Sequence, residues 1–211
     1  MLGIVGYGGF VASAAALCLT PGIDTVYILT RTVSGGRREG LASALGINAG
    51  LVVHTILVAA GLSLVLAASP VAFNVIKVAG AAYLAVMGVR SILSGGSSFS
   101  VGEGSDEPAG SSNLRVFAQG VLTNVLNPKI ILFFLALLPQ FVATPNNFGP
   151  VPFLALGLTY VALSTLWTVV IVLVAAPFSR LLTRSPRAGR VTSVVSGVVY
   201  IALGAMIFFT A

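Results

Sequence analysis

Polar residues interrupt this chain so rarely that the gaps between them set its expected architecture. Apolar stretches of 20 to 30 residues follow one another over about 3–30, 40–67, 70–93, 115–142, 148–177 and 191–210. At about 1.5 Å of rise per helical residue, each is long enough to cross a hydrocarbon core of roughly 30 Å. The short alternating pattern of an outer-membrane barrel is absent from the sequence. The expected fold is therefore an all-α integral membrane protein with six transmembrane helices.

Two of these stretches are broken by proline, at matching places in the two halves. The first reads Leu17-Cys18-Leu19-Thr20-Pro21-Gly22-Ile23-Asp24, and the second Leu122-Thr123-Asn124-Val125-Leu126-Asn127-Pro128-Lys129. Between the halves, residues 94–114 read SGGSSFSVGEGSDEPAGSSN and then Leu114. Gly, Ser and acids cannot build a packed core, so a flexible cytoplasmic linker is expected there. It separates a first three-helix repeat, 1–93, from a second, 115–211. Three is odd, so the second block enters the membrane from the opposite side. The topology is an inverted repeat whose first helices, 1 and 4, carry the proline breaks.

Composition strengthens the membrane assignment. Hydrophobic residues make up 57% and charged residues 8% of the 211, with a mean hydropathy of +1.05. A soluble domain carries about 25% charged residues. The net charge of +6 raises the question of nucleic acid, which the distribution answers. Nine of the eleven basic residues lie in or beside three connections: Arg31, Arg37 and Arg38; Arg90 and Arg115; Arg180, Arg184, Arg187 and Arg190. With six spans those connections share one side, while both termini and the connections near Ser69 and Pro145 carry no Lys or Arg. The positive-inside rule places the arginines in the cytoplasm and both termini outside, in a bacterial inner membrane. Topology and lipid-headgroup contact account for the arginines, and no exposed basic fold remains for nucleic acid. Residues 1–30 have no basic n-region, so they read as a retained first helix rather than a signal peptide.

The titratable groups well inside the spans are Asp24, His54, Lys77 and Lys129. Intramembrane charges are costly and mark functional candidates. Helix rise places Asp24 roughly 10 Å above the cytoplasmic boundary and Lys129 roughly 15–20 Å deep. Pro21 has no N–H, so the carbonyl of Leu17 loses its helical partner, and Gly22 lets the backbone open further. The half-helix that follows points free N–H groups at the break, which suits a carboxylate, while Leu17 or Asp24 suits an ammonium. A simple N-cap role for Asp24 is the plainer alternative. Asn127-Pro128-Lys129 mirrors this, with the Asn124 carbonyl released and Asn127 available as a cap. Lys129 is expected either to neutralise Asp24 or to meet a substrate carboxylate. Lys77 fits an internal pair or a snorkelling side chain as well as a functional one. His54 shares a helical face with Gly46 and Gly50; it is either packed and hydrogen-bonded or a proton carrier, the role for which histidine is the most suitable side chain. Gly46 and Gly50, like Gly197 and Gly204, suit close internal helix packing, with a homo-oligomer interface as the alternative.

One His and one Cys cannot build a zinc or heavy-metal cluster, and no GxSxG or HExxH occurs. Neither a metal, nor another cofactor, nor an enzymatic activity is expected. TPGIDTVYILTRTVSGGRREGLASALGINAG, GVLTNVLNPKIILFFLALLPQFV and VIKVAGAAYLAVMGVRSIL together resemble the LysE/RhtB amino-acid exporters over essentially the whole chain. The resemblance implies a six-helix inner-membrane exporter of amino acids or related metabolites, coupled to protons. It carries the family's motif onto Pro21, Gly22, Asp24, Asn127, Pro128 and Lys129. Position 23 is Ile where many relatives have a second proline. The competing expectations are a passive small-solute channel and an exporter of some other solute.

Overall fold

The computed structural model describes residues 2–68, 70–93, 112–182 and 186–209. Within them the chain is helical, in the order α1 (Tyr7–Leu19), α2 (Ile23–Ala68), α3 (Pro70–Leu93), α4 (Asn113–Val125), α5 (Pro128–Leu137), a 3₁₀ turn (Leu138–Phe141), α6 (Val151–Leu182) and α7 (Pro186–Phe209). The expected linker lies outside the described residues except at its end, where α4 already begins at Asn113.

Both proline motifs coincide with helix ends. α1 stops at Leu19 and α2 starts at Ile23, because Pro21 cannot supply the N–H that would carry the first helix on. α4 stops at Val125 and α5 starts with Pro128 at its first position, where a missing N–H costs nothing. α4 and the α5–3₁₀ segment meet at 51°.

α2 is 46 residues long but not one rod. Gly36, at φ 74° and ψ −171°, takes a backbone conformation that side chains other than glycine's rarely adopt. The two arms fold back on each other there. A Cβ on Gly40 would run into the Thr32 side chain, and Ile28 packs in one buried cluster with Ala44 and Ile47. In a straight helix, residues sixteen apart would lie roughly 24 Å from each other. The connection that the arginines mark thus shrinks to a one-glycine turn.

Unlike a water-soluble protein, the chain is apolar on its surface as well as in its core. Along α6, Leu158, Leu166, Val170, Leu173 and Val174 are exposed, while Tyr160, Ser164 and Thr168 are buried on the opposite face. Hydroxyls inside and aliphatic groups outside is the arrangement that lipid, not water, stabilises. By length and composition, Ile23–Gly61 and Val151–Ala175 qualify as membrane-crossing helices among the described residues, as does the bent α4–α5 pair taken as one. Tyr7–Leu19, Val78–Leu93 and Gly197–Met206 are shorter apolar helices.

Small residues bring the helices close. α2 packs on α4 and α6, and α3 on α7 and α5. Cβ atoms on Gly46 and Gly120 would strike each other's helix backbone, and Gly88 and Gly197 do the same between α3 and α7. These glycines serve packing within the chain. At one end, residues 3–5 hydrogen-bond to 141–143, through Val5 N–H to Phe141 and Ala143 N–H to Gly3. Phe10 and Phe141, 5.4 Å apart, begin an aromatic core that runs on through Phe133, Phe134 and Tyr160.

Candidate functional site at the paired helix breaks

Each proline frees the carbonyl four residues before it, and in both breaks a side chain from elsewhere takes that carbonyl. Pro21 frees Leu17. The Lys129 ammonium donates to the Leu17 carbonyl at 3.4 Å and to the Thr20 carbonyl at 2.8 Å. Pro128 frees Asn124. The Asn124 carbonyl accepts from the Asn127 N–H at 2.9 Å and lies 3.1 Å from His54 Nε2. A carbonyl only accepts, so this bond requires the His54 proton on Nε2. The ring of Phe134 packs against His54 at 5.9 Å.

Asp24 sits between the breaks. One carboxylate oxygen accepts from Asn124 Nδ2 at 2.9 Å and the other from Asn127 Nδ2 at 3.0 Å. Asn127 also caps α5, its Oδ1 accepting the Lys129 N–H at 3.0 Å. Asn124, Asn127, His54 and Lys129 are all buried. Pro21 and Gly22 supply the gap that admits Lys129, whose ammonium would lie 3.4 Å from a Cβ on Gly22. Seven of the eight residues expected to carry function thus meet in one place: Pro21, Gly22, Asp24, His54, Asn127, Pro128 and Lys129. Lys77 belongs to α3, and its side chain lies outside the described residues.

Two features correct the expectations. Lys129 is not ion-paired with Asp24: the carboxylate is held by two side-chain amides and the ammonium by two backbone carbonyls. Arg31 does form an ion pair, with Glu39 at 3.8 Å. Arg31 is therefore no headgroup arginine. It is buried, donates to Gln119 Oε1 at 2.7 Å and lies 5.7 Å from the Tyr27 ring centre. This clamp ties the first arm of α2 to its second arm and to α4.

Two cavities flank the breaks. A small one of about 30 Å³, room for about one water, is lined by Asp24, Cys18, Tyr160, Ser164, Trp167 and Thr168, among others. A large one of about 450 Å³ is lined by Pro21, Ile23, Tyr83, Met87, Arg90 and Tyr200, among others. Gly22, Asn127 and Lys129 line both. The large one has the size of a small-molecule site. The sequence reading missed its α3 wall and the polar wall of α6. Both follow one rule: Tyr83, Met87, Arg90 and Ser91 recur at i, i+4, i+7 and i+8, as do Tyr160, Ser164, Trp167 and Thr168. Among the described residues no group of three or more His, Cys, Asp or Glu could hold a metal ion.

A profile of the LysE type translocators matches residues 15–210. The chain belongs to this family. This LysE-type translocator shares 29% identity over 201 residues with the uncharacterized membrane protein YrhP of Bacillus subtilis (strain 168), covering 92% of this chain and 94% of the relative. With a homoserine/homoserine lactone efflux protein of Salmonella typhi it shares 32% over 150 residues, covering 71% and 70%. An uncharacterized membrane protein of Vibrio cholerae is 34% identical over 157 residues, 74% of each chain. No solved structure gives a significant match. The translocator is thus a membrane transporter, not an enzyme.

Proposed function

We propose that this translocator exports amino acids or closely related small metabolites across the bacterial cytoplasmic membrane by proton antiport. The carrying observation is the meeting of two proline-broken helices around the half-buried Asp24 carboxylate and the buried Lys129 ammonium, with Lys129 in the wall of a cavity of about 450 Å³. Broken helices offer free backbone donors and acceptors to a polar solute without exposing them to lipid. In this reading the solute loads from the cytoplasm past Arg90, in the last turn of α3. The Arg90 guanidinium attracts its carboxylate, and Tyr83, Met87 and Tyr200 flank its side chain. Asp24 is the coupling group and takes a proton when the solute leaves. His54 is the second proton carrier. The efflux of homoserine and its lactone by a relative supports small amino-acid chemistry.

The six-span inverted repeat, with both termini extracytoplasmic, belongs to the same proposal. The fold-back of α2 at Gly36, the broken α4–α5 pair and the pairing of residues 3–5 with 141–143 support it. The test is export from cells loaded with a panel of amino acids that includes homoserine. At least one should leave faster than from vector controls, and a protonophore should stop its export against a gradient. If flux persists only down the gradient, a passive channel replaces the exporter. If no amino acid leaves faster, the solute class is wrong.

A further inference from the structure

The place where Lys129 rests is a built site for a primary ammonium. Two carbonyls that the break leaves without regular helical partners converge on Nζ, Thr20 at 2.8 Å and Leu17 at 3.4 Å, and the Tyr200 ring faces it with its centre 5.3 Å away. The Leu17 carbonyl is left only a shared contact from the Thr20 N–H, at 3.2 Å. Carbonyl oxygens and an aromatic face are the groups that bind an ammonium in a dry setting. Nothing in this arrangement distinguishes an ammonium on a side chain from one on a solute.

We propose that the Leu17 and Thr20 carbonyls form the subsite for the ammonium of the transported solute, and that Lys129 fills it from within until the solute displaces it. This rests on the export reading of an amine-bearing solute. Lys129 also stands in the wall common to both cavities, so its withdrawal does two things at once. It frees the subsite, and it joins the large cavity to the small one where Asp24, Tyr160 and Ser164 lie. The withdrawal breaks no hydrogen bond of Asp24, although it takes a favourable charge away from it. Its two oxygens keep the Asn124 and Asn127 amides, so no donor of the carboxylate leaves with Lys129. With no solute present, the tethered ammonium keeps the carbonyls satisfied and the wall closed.

The test uses the purified full chain and needs no transport. In Lys129→Ala the subsite is empty, so methylammonium should bind and raise the thermal unfolding midpoint. Wild type should respond only at much higher methylammonium, because there the amine must first displace the tethered Lys129 ammonium. Tetramethylammonium, which has no N–H, should leave both unchanged. If Lys129→Ala folds poorly, purification in methylammonium should recover monodisperse protein where tetramethylammonium does not. Cys18, the chain's one cysteine, lines the small cavity and reports on the wall. N-ethylmaleimide should modify it at least about tenfold faster in folded Lys129→Ala than in wild type, since the charge-assisted bonds that close the wall are gone. Equal responses to the two amines, or equal labelling of wild type and Lys129→Ala, would overturn the proposal. Failure of the amino-acid panel would leave these results untouched and would instead change the solute.

Discussion

Asp24 is the residue on which the proposed coupling turns, and its surroundings decide which substitution is informative. Both its oxygens act only as acceptors, from Asn124 and Asn127. Asn at position 24 keeps the shape but sets one amide nitrogen against another and cannot take a proton. Asp24→Asn should therefore insert normally yet lose gradient-driven export, read as solute efflux under an imposed pH step. Wild-type efflux with unchanged pH dependence would leave Asp24 a structural acceptor and move the coupling to His54. Arg31 and Glu39 make a different case. Glu39→Gln removes the charge opposite the buried Arg31 but leaves it Gln119 and the Tyr27 ring, so it should cost about 1–3 kcal/mol of stability, measured by thermal or denaturant unfolding in detergent. At this scale the sequence is legible where chemistry is local. The absence of an N–H on Pro21 and Pro128 identifies Leu17 and Asn124 as released carbonyls. What fills those carbonyls is settled by residues 112 and 70 positions away, Lys129 and His54. For the same reason the arginine count, which assigns a side, says nothing of Arg31 turning inward.

Helices in this molecule are positioned through glycines, and their substitutions should divide according to what a methyl would meet. At Gly50 a Cβ would lie 2.7 Å from the Asn124 Cβ and 2.8 Å from its Oδ1. Gly50→Ala should cost about 1–3 kcal/mol by overpacking, and it should impair export as well, because the displaced Asn124 holds Asp24. Gly61 has nothing within 4 Å of a Cβ. Gly61→Ala should be neutral or add up to about 1 kcal/mol through helix propensity. Unfolding midpoints of the two variants, with efflux rates beside them, check both. Equal behaviour would mean that α2 and α4 do not meet as closely as these distances require. The apolar stretches made the helices legible because length alone separates a spanning helix from other structure. The turn at Gly36 was less legible. Residues 31–40 look like a loop in their charges, yet one positive-φ glycine makes the reversal and its neighbours stay helical. The polar stripes of α3 and α6 are visible as periodicity only once the apolar residues between them are seen to face outward.

Across the whole molecule, the two ends of the site differ. Arg90, in the last turn of α3, lines the large cavity, whereas Phe10, Phe133, Phe134 and Phe141 close the core toward the end where residues 3–5 meet 141–143. If the arginine-bearing connections are cytoplasmic, the proposed loading past Arg90 is from the cytoplasm, and the aromatic packing lies on the outer side. That assignment rests on orientation, which the nine-to-zero distribution of basic residues predicts. Reporter fusions or cysteine labelling at residues 1, 105 and 211 decide it. Residue 105 should report the cytoplasm, and residues 1 and 211 the outside. A signal from the outside at residue 105 would reverse the loading direction. Signals on opposite sides at 1 and 211 would require an odd number of spans, and the inverted relation between the two proline-broken helices would fail with it.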